Sequence, residues 1–343
     1  MGVNIKQLIT TKEIDLSYLK GRTIGIDAFN WIYQFLSIIR DRETGEPLKD
    51  SKGRVTSHLS GILYRNTKLI EAGIKVCYIF DGVAPEFKSA TAMERRLIRQ
   101  EAKIKWGEAV ESGDRVEALK AAKRSTQITE EIIETSKELL GYMGIPVIQA
   151  PSEGEATCAY LCKKGKIWAG ASQDTDNLLF GSPRLVRNLS ITGKRRMPRT
   201  GAFYELKPEL IELEQLLKSL GINQDQLIIL SMLVGTDFNP GIQKIGPKSA
   251  LKLVNENKTL DKVLGKVNWD SQFEDKIIPA EEIFNFFKNP PVSDVNIEPK
   301  ELQPDKIMKM MVDEHEFSQE RIQKVIDTLK KTSGTNALTK WLK

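Results

Sequence analysis

Residues 147–176 read VIQAPSEGEATCAYLCKKGKIWAGASQDTD, and this stretch decides the fold. Val147-Ile148 is a short apolar run that Pro151 stops. Ser152 can cap a helix starting at Glu153, which carries Ala156, Ala159, Tyr160 and Leu161 and ends at Gly165. Ile167 to Ala171 predicts a second buried strand, and Asp174 and Asp176 follow it at once. Strand, one short helix and strand imply parallel pairing through a right-handed crossover. The pairs Glu153/Glu155 and Asp174/Asp176 then share one edge, beyond the carboxyl ends of their strands, where open α/β sheets bind ligands. A purely structural account fits this stretch equally well. Ser152 and Glu155 have capping-box spacing, Glu153 suits the positive end of a helix, and the two aspartates suit a turn.

The flanking chain tips the balance. Thr23 to Asp27 reads as a buried strand ending in an acid, ahead of an aromatic-rich helix over 28–36 that Asp27 could equally cap. Residues 41–56 form an exposed loop. Residues 59–72 form a helix with Leu59, Ile62, Leu63, Leu69 and Ile70 at helical spacing, closed by Gly73. Lys75 to Asp81 is a third buried strand, and it too ends in aspartate. Residues 82–130 are dense in charge and lack a continuous apolar stripe, so their helices are either solvated or wrapped around something charged. Starting directly after Asp81, they are read as a basic arch over the sheet edge. Thr129 to Tyr142 resumes amphipathic helix, Lys194 to Arg199 is a basic loop, and Leu206 to Leu220 is expected to be helical.

Asn223 caps a helix that is apolar on all sides over 227–234 and ends at Gly235-Thr236-Asp237, another acid emerging from apolar surroundings. Gly241 and Gly246 then flank a short hairpin, and Pro247 opens a further helix. Exposed amides in such a turn, with the positive end of the next helix, can hold a phosphate without reading base sequence; the alternative is an ordinary Gly-Pro turn. Ser318 to Leu329 is the final predicted helix, and residues 331–343 form a flexible tail.

Bulk properties narrow the class. The chain has 343 residues, 40% of them hydrophobic, and no apolar run long enough to span a bilayer. The N-terminus lacks a signal-peptide pattern. Cys77, Cys158 and Cys162 make no disulfide framework, as suits a reducing interior. Cys158 and Cys162 share a helix face without a nearby histidine, so small buried residues are favoured over a zinc site. Net charge is +5, and gathering seven of the 46 acids into one site leaves a more basic surface around it. That arrangement suits a polyanionic substrate held through metal ions.

Ile-Asp-Ala at 26–28, Phe-Asp-Gly at 80–82, Pro-Ser-Glu-Gly-Glu-Ala at 151–156, Gln-Asp-Thr-Asp at 173–176 and Gly-Thr-Asp with Gly-Ile and Ile-Gly-Pro over 235–247 occur in one order. In these motifs the chain resembles the archaeal and eukaryotic flap endonucleases, of the structure-specific 5′-nuclease family, from residue 2 to about 330. The resemblance implies an α/β fold with a mainly parallel central sheet flanked by helices on both faces, a PIN-like nuclease core. It adds a helical arch over about 84–130 and a helix–two-turn–helix element over about 226–256, all in a single nuclease domain, 1–330. It implies that Asp27, Asp81, Glu153, Glu155, Asp174, Asp176 and Asp237 bind two magnesium ions, with manganese able to substitute. Lys88 and Arg95 are implied to contact the scissile phosphate, and Tyr33 to stack on a base beside the cut. Gly241, Lys244, Gly246 and Lys248 are implied to grip duplex backbone, with a potassium ion there.

The implied activity is cleavage of 5′ flaps, with 5′-3′ exonuclease activity, in DNA replication (Okazaki fragment maturation) and repair. The implied setting is a monomer in the cytoplasm of a prokaryote, an archaeon, with branched DNA as partner and no membrane. Leu338, Trp341 and Leu342 match the apolar anchors of a sliding-clamp-binding tail, but the family's leading glutamine is missing. Phe238 stands where the family usually has tyrosine, and the N-terminal Gly-Val-Asn-Ile-Lys-Gln-Leu departs from its usual pattern. Two alternatives remain at this stage. One is a catalytically silent duplex-binding factor that recruits a clamp. The other is a relative preferring bubbles, gaps or junctions.

Overall fold

The computed structural model describes residues 3–41, 44–88, 100–102, 104–105, 126–191, 193–196, 202–269 and 279–335. In chain order the strands are β1 (Lys12–Glu13), β2 (Thr23–Asp27), β3 (Lys75–Phe80), β4 (Val147–Gln149), β5 (Ala169–Ala171), β6 (Arg184–Arg187), β7 (Gly193–Arg196), β8 (Phe203–Leu206) and β9 (Glu209–Glu212). Seven of them form one sheet in the order β1-β9-β6-β5-β2-β3-β4, while β7 and β8 form a separate antiparallel pair. Strands β2 to β6 are mutually parallel. Strand β9 runs antiparallel to β6, and β1 antiparallel to β9. The chain builds outward from β2 through β3 to β4, then returns to the other side of β2 for β5 and β6. The reversal lies between β2 and β5, the place where open sheets of this kind hold ligands.

The helices are α1 (Ala28–Ile38), α2 (Ser57–Glu71), α3 (Glu130–Tyr142), α4 (Gly154–Lys163), α5 (Asp176–Leu179), α6 (Leu213–Leu220), α7 (Gln224–Val234), α8 (Pro247–Asn257), α9 (Leu260–Val267), α10 (Ala280–Lys288), α11 (Pro304–Met308) and α12 (Gln319–Thr335). They cover both faces of the sheet, and successive residues of its central strands are buried on one side and then the other. Ile24, Ile26, Val76, Tyr78 and Phe80 pack into one core with α1, α2, α3 and α12. Cys77 and Ile79, the intervening residues of β3, pack on the opposite side with Cys158 and Leu161 of α4. Leu185 of β6 and Ile211 of β9 join the apolar helix α7 in a third cluster. Strands buried on both faces read as unbroken apolar runs, which is why β2 and β3 are visible in the sequence.

Three local expectations are overturned. The basic segment expected as a loop over Lys194 to Arg199 is strand as far as Arg196, because its backbone pairs antiparallel with Phe203–Leu206. Residues 206–212 are not helical: Glu209–Glu212 pairs with Arg184–Arg187 and sends Leu210 and Ile211 into opposite cores. Two adjacent apolar residues that each find a core on opposite faces outweigh the helical propensity of Leu and Glu once an edge is open for pairing. The capping box at Ser152 and Glu155 does not form either: Glu153 is the N-cap residue, and no side chain on α4 caps it. By contrast, Asn223 and Gln226 do make a complete capping box at the start of α7. The last helix also runs further than expected, to Thr335. Among the described residues no helix is long and apolar enough to cross a membrane.

Candidate active site

The parallel strands bring their acids to one edge. Asp27 closes β2 and caps α1, its Oδ1 accepting the Asn30 amide at 3.0 Å and its Oδ2 the Ser172 hydroxyl at 3.0 Å. Capping and site formation are therefore both true of this residue. Asp81 follows β3, and its Oδ1 accepts the Gly154 amide at 2.7 Å. The free amide at the head of α4 is thus satisfied from a neighbouring strand, not from Ser152. Gly154 is required there, because a Cβ would stand 2.7 Å from that aspartate oxygen.

Glu153 accepts two bonds from Lys88 Nζ, at 2.8 and 2.7 Å. Across the edge, Asp176 Oδ1 accepts the Val3 amide at 2.7 Å, and the Thr175 hydroxyl donates to the Val3 carbonyl at 3.1 Å. Asp174 Oδ2 accepts the Asn30 side-chain amide at 3.1 Å. Glu155 projects from the first turn of α4, and its Oε1 is buried without a hydrogen bond.

Burial and mutual repulsion hold these groups far from ordinary carboxylate behaviour. Asp27 is pushed up to about 8, first by burial and then by Asp81, with Asp174 adding to it. Asp176 is pushed up to about 7 by burial and by Asp237. Glu155 lies well above the usual range through burial and through Asp176, Asp27, Asp174 and Asp237. Asp237 acts on Glu155 and on Glu153 alike, so the acids form one electrostatically connected set. Burial raises Asp81 and Glu153 as well, but there Lys88 pulls both back. For Lys88, burial disfavours the ammonium, yet Glu153, Asp81 and Asp237 outweigh it and raise its pKa.

The donor set fits a hard divalent cation. It consists of oxygens from several segments, including an orphaned buried one, and no thiol or imidazole belongs to it. Among the described residues no three acidic, histidine or cysteine side chains come close enough together to hold a metal ion as they stand. An ion here would keep part of its shell for water or phosphate oxygens, which magnesium does readily.

The turn after α7 is tightly built. The Thr236 hydroxyl donates to Asn239 Oδ1 at 2.7 Å, and the Asn239 side-chain amide donates to the Met232 carbonyl at 2.8 Å. Gly241 lies against Val234, whose carbonyl oxygen would stand 2.2 Å from a Cβ. Gly246 is different: it precedes Pro247 at the head of α8, and a Cβ there would meet open space. Lys244 and Lys248 are exposed on either side of it. Tyr33 is 36% exposed on the outer side of α1. Arg95, most of the 84–130 arch, and Leu338, Trp341 and Leu342 of the tail lie outside the described residues.

Several supporting groups carry no local signal in the sequence. The Val3 and Gly154 amides, Ser172 and Asn30 contribute through long-range bonds. Phe87, Phe238 and Phe286 form an edge-on trio with ring centroids 5.3, 5.4 and 5.2 Å apart. This trio ties the residue before Lys88 and the residue after Asp237 to α10.

Two family models match the chain, the XPG N-terminal domain over residues 1–102 and the XPG I-region over residues 144–237. Flap endonuclease 1 of Thermococcus onnurineus is 53% identical over 334 residues, covering 96% of this chain and 95% of that protein. Flap endonuclease 1 of Pyrococcus furiosus is 50% identical over 348 residues, covering 100% of both. The solved flap endonuclease-1 from Methanococcus jannaschii superposes with a TM-score of 0.76 at 38% identity, covering 98% of this chain and 100% of that one.

Proposed function

The chain belongs to the flap endonuclease family of 5′ nucleases, and we infer that it is a structure-specific 5′ flap endonuclease, a phosphodiester hydrolase acting in DNA replication and repair. The observation that carries the reading is the convergence of Asp27, Asp81, Glu153, Glu155, Asp174, Asp176 and Asp237 on one edge. Such a concentration of buried, mutually repelling acid is stable in charged form only when cations neutralise it. We assign these seven as the holders of two divalent ions, magnesium before manganese given the all-oxygen donor set. When bound, such a pair supplies positive charge at both the attacking and the leaving oxygen of the phosphodiester.

The chain's own groups do the rest. Asp27, Asp81, Asp174 and Asp176 are held by the amides and hydroxyls described above, so little reorientation is needed as substrate arrives. Lys88 Nζ sits between Glu153 and the open edge, and it can turn one donor toward a phosphate oxygen while still paired; Arg95 is proposed to act beside it. Exposed Tyr33 offers a ring face for an unpaired base. Gly246 leaves its backbone open, and with the positive end of α8 and with Gly241, Lys244 and Lys248 nearby it suits a duplex phosphate, read without base contacts. A potassium ion at that turn and clamp docking through Leu338, Trp341 and Leu342 are proposals resting on the sequence resemblance.

The test is magnesium-dependent cleavage of a labelled panel: 5′ flap, nicked duplex, bubble, four-way junction and single strand. The flap should be cut fastest, near the junction of single strand and duplex. Equal cutting of flap and free single strand overturns the reading. Preference for the bubble or junction moves the protein to another branch of the family.

A further inference from the structure

We propose that Asn30 is a positioning residue for Asp174, held in place by a relay from Ser190 through Gln34. The proposal rests on the reading of the acidic edge as a divalent-ion site. Asn30 lies in the first turn of α1 and bridges the point where the sheet order reverses. Its backbone amide donates to Asp27 Oδ1 at 3.0 Å, and its side-chain Nδ2 donates to Asp174 Oδ2 at 3.1 Å. Its Oδ1 accepts the Gln173 amide at 3.2 Å and the Gln34 side-chain amide one turn further along the helix. The Ser190 hydroxyl in turn donates to Gln34 Oε1.

One asparagine therefore ties the acid that ends β2 to an acid beyond β5, two residues 147 positions apart. Asparagine suits the place because it offers both a donor and an acceptor on a two-carbon stem. Leucine has nearly the same shape and neither function. Donation to Oδ2 restrains rotation of the Asp174 carboxylate and occupies only one of its two oxygens. The Gln34 and Gln173 contacts on Asn30 Oδ1 fix the amide so that Nδ2 is the atom turned to Asp174. Outer-shell bonds of this kind typically change metal affinity by about 10–100-fold.

The experiment is a magnesium titration of thermal unfolding on the full chain without DNA, with flap cleavage measured in parallel. Asn30→Leu should raise the magnesium midpoint by about tenfold or more, and its cleavage should recover toward wild type at saturating magnesium. Gln34→Leu should move the midpoint the same way by a smaller factor, and it supplies the readout if Asn30→Leu does not fold. Asp174→Ala is the reference that separates the two layers of argument. If Asp174→Ala moves the midpoint while Asn30→Leu and Gln34→Leu stay at the wild-type value, the positioning role is overturned. If Asp174→Ala leaves the midpoint unmoved, the ion-site reading beneath it is wrong. Loss of cleavage in Asn30→Leu that high magnesium does not restore also overturns the proposal.

Discussion

The two halves of the acidic edge solve the same electrostatic problem differently. On the β3–β4 side, Asp81 and Glu153 lie beside Lys88, whose ammonium bonds both Glu153 oxygens. On the β2–β5 side, Asp27, Glu155 and Asp176 have amides and hydroxyls as hydrogen-bond partners or, at Glu155 Oε1, none. Hydrogen bonds lower these pKa values only in part, so burial first, then Asp81 for Asp27 and Asp237 for Asp176, still push Asp27 up to about 8 and Asp176 to about 7. The first half carries Lys88 against its carboxylates, while no cation offsets the charge of Asp27 or Glu155 in the second. Dependence on divalent ions should therefore concentrate in the β2–β5 half.

That contrast can be broken most decisively by neutralising one acid on the β2–β5 side. Asp176→Asn should reduce flap cleavage to background and at the same time raise the unfolding temperature of the metal-free protein at pH 8, since a buried charge repelled by Asp237 and Asp174 is removed. A lower unfolding temperature would show that the charge is compensated after all.

Lys88→Met probes the other half and should behave in the opposite sense. Cleavage should fall by about 10²–10³, as for loss of one electrostatic donor. Metal-free stability should fall by about 2 kcal/mol, because Glu153 is left buried without its partner. A stability gain in calorimetry would mean that the desolvation of this pair outweighs its attraction.

The pH dependence sharpens the comparison further. An acid whose folded pKa is raised contributes stability that is fully present below its unfolded value, near 3.8 for aspartate, and is lost as pH rises through the folded value, about 8 for Asp27. Metal-free protein should therefore melt at progressively lower temperature from about pH 4 to about pH 8, and saturating magnesium should flatten the slope. The same scan on Asp27→Asn should be visibly flatter without metal. Equal slopes would show that Asp27 is not the group responsible.

The smallest expected effect comes from the ring trio. Phe286→Ala removes the ring that Phe87 and Phe238 share, loosening the residue before Lys88. Cleavage should slow by about tenfold, equivalent to ~1.4 kcal/mol in the barrier, and Phe286→Leu should restore most of it. Unchanged single-turnover rates in Phe286→Ala would remove the trio from the account of how Lys88 is held.

Much of this molecule was legible before any coordinates. Strands β2 and β3 announce themselves as apolar runs because both faces are covered, and α7 does so because it is apolar all round. The cap residue Asn223 does what its type predicts. Short-range rules failed where a residue's partner came from far along the chain. Strand β9 reads as helix until Arg184–Arg187 offers an edge to pair with. Ser152 has capping spacing, but Asp81 stands closer to the amide that needs satisfying.

The residues alone determined that this chain gathers acids beyond parallel strand ends. A buried parallel strand must be apolar along its length and polar where it emerges, and that pattern is written locally. They also determined a tight turn over Gly241 to Pro247 ahead of a helix, since glycine and proline carry their geometry with them. Only the tertiary structure decided how the acids are held. It set Lys88 on both oxygens of Glu153, left Glu155 Oε1 buried without a hydrogen bond, and let Asn30 join Asp27 to Asp174. These are matters of distance between groups remote in sequence, and in a buried, low-dielectric site those distances set the charge of every member.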